Sequence, residues 1–161
     1  MKKYRIMFVC HGNICRSPMA QFVFADILKN NKYEEKIEAD SAATSYEEIG
    51  NGVYPPVKRI LREMGIDTTG KTAVHTEKSD YAKYDLIIGM DSYNIRNMQR
   101  IFGADPDKKI FKLLEFAGSN ADVSDPWYTG EFIKTKEDVT RGLNGLLEYI
   151  KKNFRDEYGD D

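Results

Sequence analysis

Cys10, a gap of five residues, then Arg16 and Ser17 bring a nucleophile, a cation and a hydroxyl together in the run Cys10-His11-Gly12-Asn13-Ile14-Cys15-Arg16-Ser17. That combination suits attack on a phosphate. A phosphate dianion held without a metal needs many donors, and a tight strand-to-helix loop aims successive backbone N–H groups at one point. Residues His11 to Ser17 hold that position. Gly12 and Asn13 are the residue types best able to take positive φ, which lets a loop curl around an anion. Arg16 adds a planar fork matched to two phosphate oxygens. Cys10 is expected beneath the phosphorus, facing both a helix N-terminus and Arg16, and both favour the thiolate, the form that attacks. A lone cysteine is commonly buried and inert. Here it falls between an apolar strand and a Ser-Pro helix start together with its arginine, which an isolated structural cysteine does not do.

The elements that must position this loop can be read around it. Arg5-Ile6-Met7-Phe8-Val9 is a short apolar run ending at a Gly-containing loop, the mark of a buried strand. Ser17-Pro18 suit the N-cap and first turn of a helix, and Met19, Phe22, Val23, Phe24 and Ile27 recur at helical spacing. A second strand is expected over Lys36 to Ser41. A helix opens at Pro55, carries Val57, Ile60, Leu61 and Met64 on one face, and stops at Gly65. Asp85 to Met90 is the clearest buried strand, with a helix from Ser92 to Phe102 after it. A fourth strand is expected over Lys109 to Leu114, a polar stretch from Ala117 to Gly130, and a last helix through Val139, Leu143, Leu146, Leu147 and Ile150. Strands alternating with helices imply an α/β fold with a mostly parallel sheet and helices on both faces. Ligands of such folds bind at the carboxyl ends of the strands, where the loop after the first strand lies.

Bulk composition sets bounds on this picture. A chain of 161 residues, 41% hydrophobic and 31% charged, is expected to form one domain over residues 1–155, with a frayed tail at 156–161. The net charge of -2 supplies no general field for nucleic acid or an anionic membrane, so any anion site has to be built locally. Ile6 to Cys10 is too short for a signal-peptide core, and no segment has the length of a membrane span. Two cysteines in one loop make no disulfide framework, which fits a reducing cytoplasm.

The run Val9 to Ala20 closely resembles the phosphate loop of the low-molecular-weight protein tyrosine phosphatases. The resemblance continues through Asp40-Ser41-Ala42, Met90-Asp91 with Asn94, and Asp125-Pro126-Trp127-Tyr128, and so spans nearly the whole chain. It implies a single-domain flavodoxin-like three-layer sandwich with four parallel strands in the order 2-1-3-4. It also implies a phosphocysteine intermediate, no cofactor and no metal, tyrosine-phosphorylated proteins or peptides as substrates, inorganic phosphate as product, and a monomer with at most weak self-association. From the residues alone no aspartate could be chosen as general acid, and Asp125-Pro126 reads equally well as a turn. The resemblance makes Asp125 the acid and then the base. It also casts Ser17 as donor to Cys10, Asn13 and Ser41 as loop supports, Cys15 as a redox partner of Cys10, and Trp127 and Tyr128 as one wall of a cleft. Tyr46 and Glu47, extending to Glu48, form the opposite wall.

Two departures from the family pattern stand out. Glu47 occupies a place where several members carry an aromatic residue. Lys71-Thr72-Ala73-Val74-His75 replaces a basic segment, and His75 is expected to be packed or solvated rather than a substitute for it. Three alternatives are weighed against a tyrosine phosphatase. An arsenate reductase of the same fold relays oxidation through further cysteines, and this chain has none after Cys15. An arginine phosphatase is associated with threonine where this chain has Ile14. A non-catalytic phosphopeptide reader would lack a nucleophile or an acid.

Overall fold

The computed structural model describes residues 3–153. Four strands, β1 (Tyr4–Cys10), β2 (Ile37–Ala43), β3 (Leu86–Gly89) and β4 (Ile110–Lys112), form one parallel sheet in the order β2-β1-β3-β4. In the register, Cys10 lies beside Ala43, Val9 beside Gly89, and Gly89 beside Lys112. All four strands therefore finish at one edge, and the loop after β1 leaves from the middle of that edge.

Side chains of β1 alternate between two layers, as the pleat requires. Ile6, Phe8 and Cys10 face a core shared with α1 (Arg16–Asn30), α2 (Pro55–Glu63) and the long helix α5 (Phe132–Asn153). Met7 and Val9 face a smaller core with Ile87 and with Met98 and Phe102 of α3 (Ser92–Phe102). Buried on both sides, β1 is a rigid base for the loop that leaves its end. Helix α3 approaches β3 so closely that a Cβ on Gly89 would meet Met98 Cε at 2.9 Å and Asn94 Cβ at 3.1 Å. A short helix α4 (Pro126–Thr129) and two 3-10 turns, Lys78–Lys83 and Leu113–Ala117, complete the described chain.

Three local expectations change. Strand β2 runs on to Ala43 because Ala42 and Ala43 pair with Val9 and Cys10. Strand β4 stops at Lys112, and Leu113 and Leu114 enter the 3-10 turn instead. Both are buried there, so their hydrophobicity reflects packing rather than strand pairing. Helix α1 begins at Arg16, and its N-cap position, Cys15, makes no side-chain capping bond. Ser17 is thus inside the helix, not its cap. The expected tail at 156–161 lies outside the described residues. Among the described residues no helix is long and apolar enough to cross a membrane.

Candidate active site

Residues 10–15 turn the chain from the end of β1 into the start of α1, and Asn13 takes the left-handed conformation that the turn needs, with φ 60°. Gly12 does not share it. What Gly12 supplies is space, because a Cβ there would sit 3.3 Å from Glu48 Cγ. Cys10 Sγ lies 3.0 Å from Ser17 Oγ and accepts from the Asn13 N–H at 3.3 Å. The Ser17 hydroxyl, rather than capping α1, is directed at this sulfur. Asn13 Nδ2 donates to Ser17 Oγ at 2.8 Å and to Ser41 Oγ at 2.9 Å. Asn13, Ser17 and Ser41 are all buried behind the loop.

Arg16 is only 2% exposed, so its charge must be matched locally. Nη1 donates to Asp91 Oδ2 at 2.7 Å and to the Val123 carbonyl at 2.8 Å, while Nη2 lies 3.5 Å from Asp125 Oδ2. Burial works against the guanidinium, yet the negative charges of Cys10, Asp91 and Asp125 outweigh it and hold Arg16 above its ordinary value. The Cys15 thiol is pushed up to about 12, first by burial and then by the charges of Cys10 and Asp125. Lys71 donates to the Ser41 carbonyl at 3.1 Å, and burial pulls its ammonium below the ordinary value.

These groups meet in one cleft of about 140 Å³ whose lining includes Cys10, Gly12, Ile14, Cys15 and Arg16 at the floor and Asp125, Trp127 and Tyr128 on one wall. Pockets that enclose drug-sized ligands measure roughly 300–1,000 Å³. This one admits a small anionic group and leaves the rest of a substrate at the mouth. Asp125 reaches it because it caps α4, its Oδ1 accepting from the Trp127 N–H at 3.0 Å. Trp127 leans on the Tyr54 ring, with centroids 4.8 Å apart, and Tyr128 is 83% exposed at the rim.

The opposite wall differs from expectation. His11, Glu47 and Glu48 line it, with His11 Nε2 paired to Glu47 Oε2. Tyr46 does not line the cleft: its ring lies flat on His75, with centroids 3.8 Å apart. His75 in turn bonds the Thr44 carbonyl at 3.1 Å and stays out of the cleft, packed as expected. Sequence reasoning missed the Asp91 and Val123 contacts to Arg16, and the support that Tyr54 gives Trp127. An aspartate closing a strand with asparagine three residues on was the available signal for Asp91. The Val123 carbonyl has no side-chain signature.

The pattern that defines low molecular weight phosphotyrosine protein phosphatases matches residues 5–156. The chain belongs to this family. It is similar to the low molecular weight protein-tyrosine-phosphatase YfkJ of Bacillus subtilis (strain 168), 38% identical over 149 residues that cover 91% of this chain and 96% of the relative. PtpA of Staphylococcus aureus (strain MRSA252), also a low molecular weight protein-tyrosine-phosphatase, is 34% identical over 151 residues, 92% of this chain and 94% of PtpA. The crystal structure of YfkJ from Bacillus subtilis aligns with a TM-score of 0.90 at 37% identity, covering 94% of this chain and 97% of that one. That of SP-PTP, a low molecular weight protein tyrosine phosphatase from Streptococcus pyogenes, gives 0.82 at 34%, covering 96% and 99%. Family and sheet order are those the sequence implied.

Proposed function

We propose that this member of the family hydrolyses phosphotyrosine in proteins through a phosphocysteine on Cys10. The observation that carries this reading is the placing of Cys10 and Arg16 at the floor of a small cleft, with Asp125 on its wall. The phosphate enters against the loop backbone and takes the Arg16 fork, which frees Asp125 from its 3.5 Å pairing with Nη2. The Cys10 thiolate then attacks phosphorus. As the bond from phosphorus to the tyrosyl oxygen breaks, Asp125, protonated from solvent once it has left the Arg16 guanidinium, gives that oxygen its proton. The resulting Asp125 carboxylate takes a proton from water, which attacks the phosphocysteine. Phosphate leaves, and the sulfur departs as a thiolate onto which Ser17 donates. Trp127 and Tyr128 flank the flat ring of the substrate.

Cys15, a free buried thiol beside Cys10 in the loop, completes the reading as the partner that captures an oxidised Cys10 in a disulfide. A reducing cytoplasm suits such chemistry.

The decisive test compares turnover on a phosphotyrosine peptide, a phosphoarginine peptide and arsenate, with vanadate as inhibitor. Hydrolysis of the first alone, blocked by vanadate, is expected. Cys10→Ser should abolish turnover yet still bind vanadate, and full activity in that variant would refute the mechanism.

A further inference from the structure

The hydrogen bonds behind the loop run in one direction, and the direction can be worked out from groups that have no choice. The Val74 N–H can only donate, and it donates to Asn13 Oδ1 at 3.1 Å. That contact fixes which end of the Asn13 amide faces which way, so Nδ2 is the end that meets Ser17 and Ser41. An amide nitrogen is donor only. Both hydroxyls therefore accept from Asn13, and each keeps its own proton to give elsewhere. Ser41 gives its proton to Gln21 Oε1 at 2.5 Å. With Cys10 as the thiolate that the proposed mechanism requires, Ser17 gives its proton to that sulfur, 3.0 Å away.

Gln21 has appeared in none of the chemistry so far. It sits one and a half turns into α1, partly buried, on the far side of Ser41 from the cleft. Its amide oxygen is the side-chain acceptor of the Ser41 hydroxyl. Without that oxygen the Ser41 proton turns back toward Asn13. The Asn13 amide could accept it only by reversing, which would set Nδ2–H against the Val74 N–H, donor facing donor. The polarity of the whole chain is thus anchored at two ends, by Val74 N–H and by Gln21 Oε1.

We infer that Gln21 is a positioning residue for Cys10, acting through Ser41, Asn13 and Ser17 to keep the Ser17 hydroxyl aimed at the sulfur. The role rests on the reading of Cys10 as the nucleophile. Lys71, donating to the Ser41 carbonyl, holds the backbone of the same relay point.

The experiment compares Gln21→Met, which keeps the length of the side chain and removes the acceptor, with Gln21→Glu, which keeps an oxygen acceptor. Two rates are read: kcat and KM on an aryl phosphate, and alkylation of Cys10 by iodoacetate at neutral pH, which reports the thiolate without any phosphoester chemistry. In Gln21→Met both kcat and alkylation should fall about fivefold to tenfold, the size of one hydrogen bond, with KM changed less. Gln21→Glu should stay within about twofold of the parent, since the acceptor is retained. In a Ser41→Ala background, Gln21→Met should add nothing further, because residues acting through one network are not additive. Parental rates in Gln21→Met, an equal loss in Gln21→Glu, or a full further loss in the Ser41→Ala background would each overturn the inference. A parent protein that is alkylated at Cys10 but hydrolyses no phosphoester would instead count against the proposed function alone.

Discussion

Arg16 and Asp91 lie 75 positions apart in sequence and 2.7 Å apart in space, joined by Nη1 and Oδ2. The other oxygen of the same carboxylate, Oδ1, accepts the Asn94 N–H at 2.7 Å and caps α3. One side chain thus ties the start of a helix after β3 to the cation of the loop after β1. Both strands end at the same edge of the sheet, so the topology delivers Asp91 to Arg16. A buried guanidinium held on two sides keeps its remaining donors in place before any phosphate arrives, and preorganisation of that kind is worth more than flexible contact.

Replacing Asp91 should separate these two tasks. Asp91→Ser retains an N-cap side chain for α3 and loses the Arg16 acceptor, whereas Asp91→Ala loses both. We expect kcat/KM to fall by about 10²-fold in each, the cost of a misplaced binding group. Both should lose stability, because each takes from the buried Arg16 its nearest carboxylate. Asp91→Ala should lose about 0.5–2 kcal/mol more than Asp91→Ser, read by urea unfolding. Normal turnover in Asp91→Ser would show that Arg16 needs no partner at Asp91.

Asp125, which we propose as the acid, also caps α4, so its carboxylic proton is best removed with the cap left in place. Asp125→Asn keeps an oxygen for the Trp127 N–H and cannot deliver a carboxylic proton. Hydrolysis of phosphotyrosine peptide should drop by about 10²- to 10⁴-fold. A phosphate ester with a good phenolic leaving group should still release its phenol in an initial burst. An unchanged peptide rate would move the acid to another residue.

Cys10, Arg16 and the strand-loop-helix unit that carries them were legible in the sequence because all lie within one continuous run, where type and spacing are visible together. Sheet order and the far wall entered through family resemblance. Local chemistry misled where one residue type serves two purposes. Ser17 looks like a cap, yet its hydroxyl belongs to Cys10; Gly12 looks like a positive-φ residue, yet its task is to clear Glu48. Leu113 and Leu114 looked like strand because a buried turn and a buried strand share the same hydrophobicity. Contacts made by backbone groups, such as the Val123 carbonyl on Arg16 and the Val74 N–H on Asn13, carry no side-chain signal at all.

Gly145, inside α5, offers a stability test with an unusual sign. Glycine in a helix costs about 0.5–1 kcal/mol relative to alanine, so Gly→Ala there ordinarily stabilises. Here a Cβ would run into the backbone carbonyl of Phe116 and stand 2.6 Å from its carbon. Backbone cannot give way as a side chain does. Gly145→Ala should therefore destabilise by about 1–3 kcal/mol, with roughly 2–4 °C of melting temperature lost per kcal/mol at this chain size. A higher melting temperature would mean that α5 and the Leu113–Ala117 turn separate easily.

Cys15 makes the alkaline limit of stability testable. Its thiol moves from 9.0 to about 12 in the folded protein, chiefly through burial. Between those values the unfolded chain has released the proton that the folded chain still holds. The unfolded state then binds fewer protons, so stability must fall as pH rises through that window. Below it both states carry the proton, and the contribution is fully present. Cys15→Ala removes this titration and leaves every other group, including the tyrosines, common to both proteins. The stability advantage of the parent over Cys15→Ala should therefore be constant at neutral pH and shrink steadily above the lower value, measured by urea unfolding at a series of alkaline pH values. An advantage that stays constant up to the pH of global alkaline unfolding would show that the Cys15 thiol ionises as readily folded as unfolded.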